Sequence, residues 1–314
     1  MKPERQALRV ALPGTPNFVH LPGHLAKRHG LFKRRGLAVE IIRGESGYGC
    51  FGLVEAGEVD FAWTSTVGLL RAVAASEAEH LRMTVSPMPR LDIQILATPD
   101  IARCEDFSDQ PVAVQRPGTF THAMLDAFLS RCGLRIDRDV IQVESTPDDS
   151  GAVSFGDLLA QRRVVGCAGH ADDIALIRYK HRPDTHILGN AWEFFPGFHY
   201  ASYVMNLNTM KGRRDEAIEF IGAVREATAW LIDPQNRDEA EAAAAALTAQ
   251  PGPVVRQSYE MFVDGDLFET DCAKGIPDGM LLTTAQSQVD LGIMDHIPSF
   301  GRVVDRTLCQ ESTF

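Results

Sequence analysis

The first third of the chain alternates short apolar segments with helix-length ones, and this rhythm restricts the fold more than any other feature. Leu8–Leu12 is an apolar run stopped by Pro13-Gly14, the pattern of a strand entering a turn. Pro22 suits the first turn of a helix that continues through His24, Leu25 and Ala26 toward Gly30. Leu37–Ile42 is apolar and partly β-branched, a second strand. Gly44–Gly49 reads as a flexible loop, and Phe51, Leu53, Val54 and Ala56 as a short helix closed by Gly57. Val59–Trp63 is a third strand, and Thr64-Ser65-Thr66 cap the segment after it. Strands separated by helices at this spacing imply a parallel sheet with helices on its faces.

The rhythm then repeats. Arg90–Ala97 reads as a strand leaving a first lobe, and Pro111–Gln115 as one opening a second. A helix is expected over Phe120–Ser130, strands at Val140–Val143, Val164–Ala168 and His186–Leu188, and helices at Phe155–Arg162 and from Ile174. Tyr200–Leu207 reads as the strand returning to the first lobe. Glu216–Leu231 carries Ala217, Phe220, Ile221, Val224 and Ala227 on one helical face and stops at Asp233-Pro234. Arg237–Thr248 is an alanine-rich helix by propensity, and the tail from Gln250 offers no chemical motif. The expected fold class is α/β: residues 1–97 plus 206–314 form a discontinuous first lobe and 98–205 a second. Each lobe is a mixed sheet flanked by helices. Ligands of open α/β sheets bind outside the strands' carboxyl ends, so a ligand cleft between the lobes, closing about a hinge, is expected.

A chain of 314 residues can bury two separate cores. With 45% hydrophobic and 23% charged residues it has an ordinary globular composition, and no run approaches the ~20 apolar residues of a membrane span. The formal charge of −11 argues against nucleic acid or an anionic membrane as a partner, and without an apolar run of that length no direct membrane insertion is expected. The start, MKPERQALRVALPG, lacks the apolar stretch of a secretory signal. As it stands the sequence predicts a cytoplasmic protein; a periplasmic one requires an export segment outside it. Cys50, Cys104, Cys132, Cys167, Cys272 and Cys309 are scattered without a CxxC or zinc-ligand spacing. The even count could mean disulfides in a secreted protein, but scattered cysteines in a chain of this size are more often buried thiols, which points to a reducing compartment.

Three segments carry a resemblance. The stretch from His29 to Ala72 contains Gly30-Leu31-Phe32, Gly36-Leu37-Ala38-Val39-Glu40 and the run Leu53 to Ala62 with Gly57, Asp60 and Phe61. Cys104 to Leu134 looks like a strand running into a small-residue helix start, and Asp215 to Ala240 like a late helix with its Trp and Asp-Pro. Together these resemble the NMT1/THI5-like group of periplasmic binding proteins, across about three quarters of the chain. The resemblance implies a two-lobed (type 2) fold that binds a small-molecule ligand, without cofactor or metal, and delivers it to an ABC transporter permease. One departure is Arg163–Ala168, which lacks the aspartate of the group's usual Gly-x-Val-Asp-Ala.

Strand-to-helix loops present backbone N–H groups to a ligand. The candidate ligand-binding residues are therefore Thr15, Asn17, Phe18 and His20 in the first loop, Ser46, Gly47 and Tyr48 in the second, and Trp63, Thr64, Ser65 and Thr66 in the third. Arg116, Gly118, Thr119, Phe120, Thr121 and His122 in the second lobe, with His170 and Trp192, complete the set. Phe18, Tyr48, Trp63, Phe120 and Trp192 could stack an aromatic or heterocyclic solute. Arg116, with Arg43 beside the second loop, has the fork that clamps a carboxylate or sulfonate. The same serines and threonines also suit helix caps, and the same aromatics suit a core. His24 and His199 are further polar candidates. Cys50, near a helix N-terminus, is the candidate nucleophile of a second reading, a cytoplasmic enzyme on the same fold: a decarboxylase, desulfinase or hydrolase of a small aromatic acid. Aromatic sulfinate desulfinases of this fold carry their cysteine in the first loop, where this chain has Thr15. Walker, HExxH and GxSxG motifs are absent.

Overall fold

The computed structural model describes residues 7–14, 16–115, 120–145 and 152–314. The chain begins with β1 (Leu8–Pro13), α1 (Leu21–Arg28), α2 (Leu31–Arg34), β2 (Val39–Gly44), α3 (Gly47–Glu55), β3 (Phe61–Ser65), α4 (Thr66–Ala74) and β4 (Leu81–Val85). It continues with β5 (Ile93–Ala97), β6 (Pro111–Val114), α5 (Phe120–Ser130), β7 (Ile141–Glu144), α6 (Ala152–Ala160), β8 (Gly166–His170), α7 (Ala171–Lys180), β9 (His186–Asn190) and α8 (Ala191–Phe194). The last part holds β10 (Ala201–Asn206), α9 (Arg214–Ile232), α10 (Arg237–Thr248), α11 (Gly252–Tyr259), α12 (Cys272–Gly275), α13 (Asp278–Asp290) and α14 (Arg306–Glu311).

Two compact units result: Met1–Arg90 with Gly197–Ala249 and Phe262–Phe314, and Leu91–Pro196 with Gln250–Met261. Each holds one five-stranded mixed sheet, in the orders β2-β1-β3-β10-β4 and β7-β6-β8-β5-β9. The two sheets share one plan. A parallel trio, centred on β1 or β6, is joined by one antiparallel strand, β10 or β5. In both, the antiparallel strand lies next to where the chain changes unit.

That plan corrects the reading of Arg90–Ala97. β5 does not leave the first sheet; it pairs with β8 and β9 in the second, where all five of its residues are buried. β4 is a strand that the sequence pattern does not announce, and α11 packs with the second unit although it lies in the tail.

In the first unit, α9 covers the sheet with an aromatic core. The ring of Phe220 lies 4.3 Å from Phe61, 5.5 Å from Phe32 and 5.4 Å from Tyr203. The fit there is close enough to require a glycine: a Cβ on Gly23 would stand 2.3 Å from the Tyr203 hydroxyl. Aliphatic residues of α3 and α4, including Val54, Leu69 and Leu70, form a cluster with Ala62 and Val204. In the second unit, Leu96, Ala113 and Cys167 pack with Leu159, Ile174 and Ile177.

The cysteines differ from expectation. Cys104 is bonded to Cys132 and Cys272 to Cys309, leaving Cys50 and Cys167 as buried thiols. The pairs join segments 28 and 37 residues apart, so sequence spacing could not reveal them. Among the described residues no helix is long and apolar enough to cross a membrane.

Candidate functional site

In the first unit the carboxyl ends of β1, β2 and β3 lie side by side because β1 pairs with both neighbours. Gly14 N–H donates to the Gly44 carbonyl at 2.8 Å, and the Thr64 hydroxyl donates to the Gly47 carbonyl at 3.1 Å. The second candidate segment is less loop-like than expected. Ser46 is the N-cap of α3, its Oγ accepting from Gly49 N–H at 3.1 Å, so Gly47, Tyr48 and Cys50 lie within the helix. Ser65 caps α4 in the same way, accepting from Gly68 N–H at 3.3 Å.

The candidates of this edge fall into two groups. Asn17, Ser46, Gly47, Tyr48 and Ser65 reach the surface, Tyr48 most of all at 65% exposed. Phe18, His20, Trp63, Thr64 and Thr66 are buried. Phe18 stacks on Phe262, and Trp63 packs edge-on against Tyr203 and His20. His20 Nδ1 accepts from Asn17 N–H at 3.0 Å, tightening the turn after β1. Thr66 is engaged with His199 at 2.6 Å. Thr15 lies outside the described residues.

In the second unit the corresponding edge is built around His170, the last residue of β8. Its Nδ1 donates to both oxygens of Asp92 at 3.0 Å. Asp92 immediately precedes antiparallel β5, which brings it to this edge with its side chain fully buried, against 28% exposure for His170. Burial by itself would lower the imidazole pKa. The carboxylate of Asp92, with Asp173 and Asp172 beyond it, outweighs that and pushes the pKa up to about 10. Burial raises the Asp173 pKa, against the pull of His170. Beside this pair Gln94 donates to Asn190 at 2.9 Å. Trp192 follows on α8, half-buried.

The Thr121 hydroxyl donates to Gln115 Oε1 at 2.9 Å and is buried. His122 donates to Gln142 on β7 at 3.2 Å. Arg116, Gly118, Thr119 and the side chain of Phe120 lie outside the described set.

The sequence reading missed Asp92, Gln94 and Asn190. Its one available signal was a carboxylate and an amide inside the apolar run Leu91–Leu96. No group of three His, Cys, Asp or Glu residues suited to a metal occurs among the described residues.

The buried cysteines bear on chemistry. Burial pushes the Cys50 thiol up to about 11, despite backbone hydrogen bonds that oppose the shift. Its Sγ packs where a Cβ on Gly44 would stand, at 2.5 Å. Cys167 is pushed up to about 12 by burial and by Asp173. Both are protonated at neutral pH, and a thiol in that state is a poor nucleophile.

The histidines set a pH dependence. Burial lowers His199 to about 4; burial, Arg43 and Lys27 lower His24 to about 4. Folded forms that hold these rings neutral lose stability as pH falls from about 6.5 toward 4, because the unfolded chain takes up the protons. His170 acts oppositely: its contribution is complete below about 6.5 and is lost as pH rises toward 10. Thermal melts across pH 4–10 are expected to show a stability maximum between these limbs. Replacing His199 should flatten the acid limb, and an acid limb unchanged in that variant would refute its assignment.

The family model described as NMT1/THI5 like matches residues 17–237. The alkanesulfonate-binding protein SsuA from Xanthomonas axonopodis pv. citri, bound to MOPS, is similar at 16% identity. The match covers 96% of this chain and 98% of that one, with a TM-score of 0.70. The periplasmic aliphatic sulphonate binding protein SsuA from Escherichia coli is 16% identical, with 96% and 92% coverage and a TM-score of 0.75. The desulfurization enzyme DSZB is 13% identical, with 98% and 99% coverage and a TM-score of 0.69. These likenesses establish the two-lobed periplasmic-binding-protein fold. No curated protein matches the chain.

Proposed function

The chain belongs to the NMT1/THI5-like family, and from that premise we propose that it is the solute-binding component of an ABC-type importer. It takes one small organic molecule at the strand carboxyl ends, in the cleft expected of this fold, and presents it to a permease. The observation that carries this reading is the contrast between polar groups and nucleophiles. Both sheets place hydroxyl, amide and imidazole groups at their carboxyl edges, while both free thiols are buried and protonated. Similar proteins bind alkanesulfonates, which makes sulfonates the first class of solute to test, with carboxylates beside them. Tyr48 and Trp192 supply accessible rings for an aromatic or heterocyclic one. Two disulfides favour an oxidising compartment over the reducing one expected from the cysteine spacing.

The alternative, an enzyme of the DSZB kind, needs a reactive group that this chain lacks at its best candidate position, Cys50. The test is a thermal-shift screen against alkanesulfonates, aromatic sulfonates and carboxylates, with mass spectrometry of each mixture. A ligand at 100-fold excess over its Kd adds about 2.7 kcal/mol. We expect a clear upward shift with the compound recovered intact. Consumption of the compound would replace the binding reading with the enzymatic one; the absence of any shift across the three classes would reject the proposed solutes.

A further inference from the structure

His199 is fully buried in the first unit and satisfied on every polar atom of its ring. Nε2 lies 2.8 Å from the Gly275 carbonyl. A carbonyl only accepts, so Nε2 carries the proton; burial keeps the ring neutral, so Nδ1 is the acceptor and the Thr66 hydroxyl donates to it at 2.6 Å. The backbone N–H of His199 donates to Thr284 Oγ1 at 2.7 Å, while that hydroxyl donates to the Met280 carbonyl at 2.8 Å. One residue thus joins the start of α4, the end of α12 and the middle of α13.

Each end of this connection is itself fixed. Thr66 N–H donates to the Tyr200 carbonyl at 2.9 Å, and Tyr200 N–H to the Pro89 carbonyl at 2.7 Å. The loop after β3 is therefore tied to both first-unit segments that flank the passages of the chain to and from the second unit. On the other side, the Gly275 carbonyl sits on a strap crosslinked through Cys272–Cys309. Arg225 Nε donates to the Thr270 carbonyl at 2.9 Å, and the Asp271 carboxylate accepts from Ala273 N–H at 2.7 Å. A Cβ on Gly275 would stand 2.8 Å from the Ser86 carbonyl, so the strap lies directly on the backbone beyond β4.

We propose that His199 is a positioning residue: a neutral, Nε2-protonated ring that transmits the position of the crosslinked strap to the Ser65–Thr66 turn and fixes that turn for its ligand. The ligand part rests on the binding function proposed for this chain. The hydroxyl of Thr66 is then an internal anchor, and Ser65 is the member of the turn left at the surface.

Thr66 offers a discriminating pair of substitutions. Thr66→Val keeps the side-chain volume and loses the hydroxyl; Thr66→Ser keeps the hydroxyl and loses a methyl group. If the hydrogen bond to His199 positions the turn, amide exchange at residues 65–68 rises about tenfold in Thr66→Val and stays near wild type in Thr66→Ser. Amides of β6 and β8 stay unchanged in both. Nitrogen-15 shifts of the His199 ring should report the Nε2–H form in the wild type. Equal exchange in the two variants, greater exchange in Thr66→Ser, or an Nδ1–H ring would overturn the proposal.

Titration with ethanesulfonate separates this result from the function. Weaker binding by Thr66→Val alone supports both. Faster exchange with unchanged ethanesulfonate affinity supports the positioning role and rejects the placing of that ligand on this turn.

Discussion

His170→Ala is expected to destabilise the second unit by about 3–5 kcal/mol, the cost of removing one partner of a buried ion pair. Asp92 has no exposed side-chain surface, and His170 supplies hydrogen bonds to both of its oxygens. Without the imidazolium its carboxylate stays buried near Asp172 and Asp173, which interact with the same ring. Urea unfolding at pH 7 measures the loss. It should be read on the transition of the second unit, because units with separate cores can unfold separately. His170→Ala combined with Asp92→Asn should recover more than half of the loss, since the uncompensated charge is then gone. A single-variant loss below about 1 kcal/mol, or no recovery in the double variant, would show that the pair does not hold this edge.

Phe220→Ala should cost the first unit about 3–5 kcal/mol, the range for a buried Phe whose cavity cannot collapse. Its ring is fully buried and meets Phe32, Phe61 and Tyr203, from α2, β3 and β10. Those neighbours sit on a sheet and a helix already braced by other contacts, so they cannot follow the lost ring inward. Phe220→Leu, which refills most of the volume, should cost less than half as much. Equal losses in the two variants would mean that packing around the ring is not what α9 contributes.

Much of this architecture was legible because its signals are local. The apolar alternation that marks β1, β2 and β3, and the 3.6-residue spacing of Ala217, Phe220, Ile221, Val224 and Ala227 on α9, depend only on near neighbours in the chain. Ser46 and Ser65 were recognisable as caps for the same reason, and both act as caps. The family was legible too, because its glycines and apolar positions recur in one continuous block and its model matches 17–237. The candidate site was legible only as a set of loops. Trp63 at the end of a strand reads identically whether it faces a ligand or Tyr203; only the folded chain shows its ring edge-on against Tyr203.

By itself, then, the sequence determined most of the strands and helices before the tail, the caps at Ser46 and Ser65, the α/β class and the family, since each is written in spacings of a few residues. Tertiary structure alone decided that β5 joins the second sheet, that Asp92 meets His170 across 78 residues, and that Thr66 meets His199 across 133. It also decided that four cysteines pair while Cys50 and Cys167 stay thiols. The physical reason is the same in each case. A side chain's partner is chosen by strand pairing and by the burial that pairing creates, and neither leaves a trace in the neighbouring residues of the chain.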